Sequence, residues 1–196
     1  MMLIAMTALL ALATALMLLK PLGAKAHCDT LDGPTARDGR EALESGNLNH
    51  ALKWVNPEDE AELRQVFDLA RKARAQGGAA REVAERWFLE NLVRLHRATE
   101  GEAYTGLKPH GVPMDQKVAA ADKSIALGSL EPMKGLFTGE EMEHLRHKFH
   151  TAMSLKDYDP DDVPAARKYI AAYVDFFKLA EGEHHAQGHG AHAKHH

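Results

Sequence analysis

The densest chemistry in this chain sits near its amino end. His27, Cys28 and Asp29 follow directly on Ala24-Lys25-Ala26, a small-x-small pattern of the kind signal peptidases cut. A cut after Ala26 places a free α-amine on a histidine, next to the chain's single cysteine. An α-amine has a pKa of about 7.7–8, so part of it is neutral and able to ligate at neutral pH. The imidazole of His27 is then largely neutral, and the Cys28 thiol becomes a thiolate as a metal binds. The amide between the two residues can also surrender its proton to nickel or copper(II). Such donors fit a square-planar site, the geometry Ni(II) and Cu(II) favour. Asp29 and Asp32 are placed to accept supporting hydrogen bonds or to close the site. His96 is the candidate for a further ligand, as in a copper brace built on the His27 amine and ring; the plainer reading makes it a core or boundary histidine with one hydrogen bond.

The pattern His27-Cys28-Asp29-x-x-x-Gly33 resembles the amino-terminal hook of the nickel superoxide dismutases, exported or processed four-helix proteins whose mature chain starts His-Cys-Asp. That resemblance implies His27 and Cys28 as nickel ligands. Asp32 stands where that family has its second ligand cysteine. The mature chain as a whole, with its His-Cys-Asp-Thr-Leu-Asp-Gly-Pro start and its Tyr-Thr-Gly-Leu-Lys-Pro loop from Tyr104 to Pro109, more closely resembles an uncharacterised family of exported bacterial helical proteins. That second resemblance implies no activity.

Other candidates are weaker. His184, His185, His189, His192, His195 and His196 alternate with Gly and Ala in a tail (183–196) that cannot form a core and binds Ni, Cu or Zn loosely. His144, His147 and His150 recur every three residues on one helix, but the outer pair drifts round the cylinder, so a solvated or partly buried face is expected. The Asp157–Asp162 acids lack the glycine and closing Glu of a calcium loop and read as a turn with a cap. No phosphate loop, nucleophile elbow, haem-attachment motif or CxxC pair is present.

These residues need a scaffold and a compartment. Leu3 to Leu19 is an apolar run with no Lys or Arg before it. Residues 1–26 are expected to be a signal peptide and the protein periplasmic or extracellular; an uncleaved membrane anchor is the alternative. Loss of Lys20 and Lys25 takes the net charge from −4 to −6 with histidines neutral, which disfavours nucleic acid as a partner. A metal ion is the expected partner, and self-association is left open. One cysteine rules out an internal disulfide framework.

Residues 27–182 read as one all-α domain. Pro34 opens a first helix with Asp32 as its cap, stopped by Gly46. A short helical piece spans 48–55. Asn56-Pro57-Glu58-Asp59 starts a helix ending at Gly77-Gly78, and the next runs from 79 to 98 with Ala84, Phe88, Leu92 and Leu95 inside. A loop follows from Thr99 to Gly111. Shifting the chain by 82 residues then brings Gly46 onto Gly128, Asn56 onto Thr138, Phe67 onto Phe149 and Leu92 onto Val174. Thr138 and Glu141 form a capping box, and Pro164 starts the last helix. This register predicts two repeated helical units, 33–98 and 115–180, packed as a pseudo-twofold bundle. Such a scaffold leaves two roles open: a metal-dependent redox protein acting on a small oxygen species, or a non-catalytic interaction or metal-handling protein.

Overall fold

The computed structural model describes residues 27–182. The 1–26 segment and the 183–196 tail, with the signal, anchor and tail-histidine readings that fall on them, lie outside the described residues. Within them the helices are α1 (Pro34–Ser45), the single turn α2 (Asn49–Leu52), α3 (Glu60–Arg74), α4 (Gly78–Thr99), α5 (Gln116–Leu127), α6 (Gly139–Ser154) and α7 (Val163–Ala180). Short 3₁₀ turns, Pro57–Asp59 and Glu131–Met133, punctuate the two halves. The fold is all-α: the described residues hold no strand, only one isolated parallel bridge between Thr30 and Lys108. No described helix is long and apolar enough to cross a membrane.

Local chemistry sets most boundaries. Gly46 ends α1 in the left-handed conformation (φ 78°), returning its N–H to Ala42, and Gly128 ends α5 the same way. Thr138 and Glu141 make the expected reciprocal capping box on α6. Asp162 caps α7 through the Ala165 N–H, and the Asp159 carboxylate accepts from the Asp161 N–H, so this acidic run is a turn with a cap. Two expected caps are absent. Gly33 occupies the cap position of α1 without a side-chain bond, because the Asp32 carboxylate is turned to the 110–111 backbone and ring instead. Asn56 caps nothing with its side chain, because Pro57 opens a 3₁₀ turn before the α-helix proper begins at Glu60.

The core forms where α3 packs on α4, α6 on α7, and α1 across α4. Phe88, Leu89, Leu92 and Phe176 are fully buried, each stabilising the fold by about 1.5–3 kcal/mol. Gly39 lets α1 come close to α4: a Cβ there would stand 2.6 Å from a Leu89 methyl and 2.8 Å from a Leu92 methyl. This packing brings the C-terminal end of α4 beside α7, and the amino-terminal leader 27–33 is laid against both.

Candidate functional site

The leader is fixed mainly by backbone. Leu31 N–H donates to Lys108 O (3.0 Å), and Lys108 N–H donates to Asp29 O (2.7 Å). Arg40 on α1 donates to Leu31 O (2.8 Å), and Gly33 N–H closes a turn onto Thr30 O. Gly33 is required here for space, since a Cβ would fall 2.2 Å from the His27 carbonyl oxygen. Asp32 completes the docking by accepting from Gly111 N–H and pairing with the His110 ring. Its two oxygens therefore serve the 101–111 connection, on the exposed side of the leader.

This docking buries His27. Its ring stacks on Phe177 of α7 at 4.9 Å, almost parallel, and Nε2 meets the Tyr173 hydroxyl at 3.2 Å. Nδ1 is buried and has no hydrogen-bond partner. Desolvation, opposed by the Asp122 carboxylate 3.8 Å from Nε2 and reinforced by Arg37, holds the His27 pKa below the ordinary histidine value, so the ring is neutral. The result is an imidazole clamped by one nitrogen and bare at the other.

Cys28 is half-buried and lines the same small pocket as His27, a space of about 30 Å³ walled also by Arg97, Glu100, Tyr173 and Phe177. Burial, then the charges of Glu100 and Asp29, push its thiol pKa well up; Thr35 and Arg97 pull weakly the other way. Asp29 is 3 % exposed and lies 3.5 Å from Arg97 Nε, and desolvation raises its carboxyl pKa. Arg97 in turn donates to Glu100 Oε2 at 2.7 Å, and Lys178 Nζ stands 3.5 Å from Glu100 Oε1. Asp29, Arg97 and Glu100 thus form a buried ionic floor under the leader. Neither Glu100 nor Arg97 stands out in the sequence. The signal was the breadth of the apolar face of α4: Leu89, Leu92, Val93 and Leu95 are all buried, so the polar residues that follow inherit that burial.

His96 is 2 % exposed and set apart from His27. Its Nδ1 lies 3.1 Å from the Trp54 carbonyl oxygen and its ring meets the Trp54 indole edge-on, while Nε2 lacks a hydrogen-bond partner and lies 3.7 Å from Glu100 Oε2. Burial is the main cause of its lowered pKa, partly offset by Glu100. Among the described residues no group of three or more His, Cys, Asp or Glu side chains is arranged to hold a metal ion. His27 and Cys28 share one pocket, Asp29 sits beneath it, and Asp32 and His96 face elsewhere. His144, His147 and His150 are exposed on α6.

Residues 32–179 match the model of a family of unknown function, DUF6448, and the chain belongs to that family. The matched range begins at Asp32, so His27, Cys28 and Asp29 precede it. Comparison with curated proteins and with solved structures gives no match.

Proposed function

We propose that this family member is an exported metal-binding protein whose leader, once processed after Ala26, holds nickel or copper through the His27 amine, the His27 Nδ1 and the Cys28 sulfur. The observation that carries this reading is the bare, buried Nδ1 of His27. Of the two ring nitrogens, Nδ1 is the one that closes a six-membered chelate with the residue's own amine. Nε2, in contact with the Tyr173 hydroxyl, is in the position from which an outer partner fixes the tautomer of a ligating histidine. Electrostatics support the same reading. The acids Glu100 and Asp29 that oppose a Cys28 thiolate also draw a cation toward it, so uptake should release the thiol proton. The amine supplies the third donor beside one imidazole and one sulfur. A redox role on a small oxygen species fits a pocket of about 30 Å³.

The scaffold supports a duplicated origin, units 33–98 and 115–180. Helices α1 and α5 both have 12 residues, and their terminal glycines, Gly46 and Gly128, are 82 apart. The same offset relates Asn49 at the start of α2 to Glu131 at the start of the second 3₁₀ turn. On this register the leader belongs to one unit only, which marks it as an addition to the scaffold.

Val83 and Trp87, one turn apart on α4 and exposed by 68 % and 38 %, favour the second reading, a non-catalytic protein that docks a partner there. Metal analysis separates the two. Protein purified from its own compartment without residues 183–196 should carry about one nickel or copper per chain, and Cys28→Ser should lose it. A metal-free wild type, or a mature mass that retains Met1, would defeat the proposal.

A further inference from the structure

We infer that the cleft between the amino- and carboxyl-terminal halves, walled by Trp54, Tyr158, Tyr169 and Tyr173, is a binding site for an uncharged sugar ring. The cleft measures about 350 Å³ and opens where α1, α5 and α7 converge, which contribute Asp38, Asp122 and Tyr169 in turn. The Tyr169 ring stands 5.4 Å from Tyr158 and 6.0 Å from Tyr173, and Tyr173 meets Trp54 edge-on at 6.1 Å. A pyranose presents C–H bonds on its faces, and these carry the partial positive charge that the face of an aromatic ring attracts. Its hydroxyls lie round the edge, where they meet the few polar groups that orient a ligand in a largely apolar site.

The polar walls disfavour an ion and suit a hydroxyl. Lys53 Nζ lies 2.9 Å from Asp38, Arg37 lies 3.8 Å from Asp122, and Lys156 donates to the Ile125 carbonyl oxygen at 2.7 Å. An anion in this cleft faces Asp38 and Asp122; a cation faces Lys53, Arg37 and Lys156. A neutral ligand meets neither repulsion. Two groups keep hydrogen-bonding capacity for it. Among the described residues the Asp122 carboxylate is approached at 3.8 Å, by Arg37 and by His27 Nε2, and makes no hydrogen bond. The Tyr169 hydroxyl, on the same cleft, also makes none among them. Burial, with Tyr158, Asp38 and Asp122 as lesser causes, pushes the Tyr169 pKa up to about 12, so its hydroxyl keeps its proton. A carboxylate accepts and a phenol both donates and accepts, and a sugar hydroxyl answers either. Tyr173 and Asp122 also meet His27, so the cleft adjoins the leader pocket, but the inference calls on no metal.

Carbon-13 NMR of tyrosine-labelled, chelator-treated protein tests this by titration with glucose, galactose and mannose. At least one of these hexoses should shift the Tyr169 ring resonances saturably. Two charged relatives of that hexose, its uronate and its 2-amino sugar, should bind about tenfold more weakly. Tyr169→Phe and Asp122→Asn, both at partly exposed positions, should each weaken the hexose about tenfold while melting near the wild-type temperature. Tyrosine resonances indifferent to all three hexoses overturn the inference. So does a charged relative that binds as well as the hexose, or undiminished hexose binding in either variant. Chelation leaves the leader without metal, so these outcomes stand whether or not His27 and Cys28 hold nickel or copper.

Discussion

Among the described residues, His27 and His96 are buried imidazoles whose rings are each held at one nitrogen and bare at the other, and they are held at opposite nitrogens. His27 meets Tyr173 through Nε2 and leaves Nδ1 bare; His96 bonds Trp54 through Nδ1 and leaves Nε2 bare. The difference decides what each can do. A bare Nδ1 folds back toward its own main chain, which suits chelation with a freed amine. A bare Nε2 points away from its backbone, into whatever space the fold leaves ahead of it. Burial alone would have made the two look alike.

Removing the seat of His27 should give the largest effect. Gly33→Ala forces a Cβ against the His27 carbonyl, so the leader must leave its place, at about 1–3 kcal/mol of stability. Urea denaturation should record that loss, and metal uptake should vanish while the His96 resonances stay put. Disruption of both histidines together would show that they are one site. Tyr173→Phe is the finer cut. It takes away the Nε2 contact of His27, so metal affinity should fall about 10–100-fold, read by competition with a chelator, and stability by about 1 kcal/mol. An unchanged affinity would mean that the hydroxyl does not orient the ring.

The pH response should be shared by both rings. Each folded pKa lies below the unfolded value of about 6.5, so the unfolded chain binds more protons in the interval between them. Their contribution is present above about pH 6.5 and lost as pH falls through the unfolded value toward the folded ones. The urea midpoint should therefore drop between about pH 7.5 and 5.5, and His27→Gln should flatten part of that slope. Asp29 acts in the opposite sense at lower pH, since its folded pKa is raised. The smallest effect is expected from His110→Ala. It removes an exposed partner of Asp32 while the Gly111 N–H still holds the carboxylate, so melting temperature should barely move.

The helices were legible because their signals are local. Gly46, the Thr138–Glu141 pair and the apolar spacing of α4 each act within a turn or two of chain. That His27 and Cys28 bring two potential donor atoms side by side was legible from residue type alone. What escaped was set by distant partners. Asp32 read as a helix cap until a loop 78 residues away claimed both of its oxygens. Arg97, a charged residue at a helix end, is buried because the leader brings Asp29 to it, with Glu100 three residues further on. Asn56 shows the reverse: its neighbour Pro57 tightened the first turn, and the local rule for a cap no longer applied.

The bridge between Thr30 and Lys108 joins the amino end to the middle of the chain through main-chain hydrogen bonds, and the Asp32 carboxylate adds a latch at Gly111 and His110. The continuity of that connection therefore matters as well as its side chains. A single protease nick between Gly101 and Gly111 would leave the helices standing and unlatch the amino end, so the loop behaves as a clasp whose opening can be scored by limited digestion.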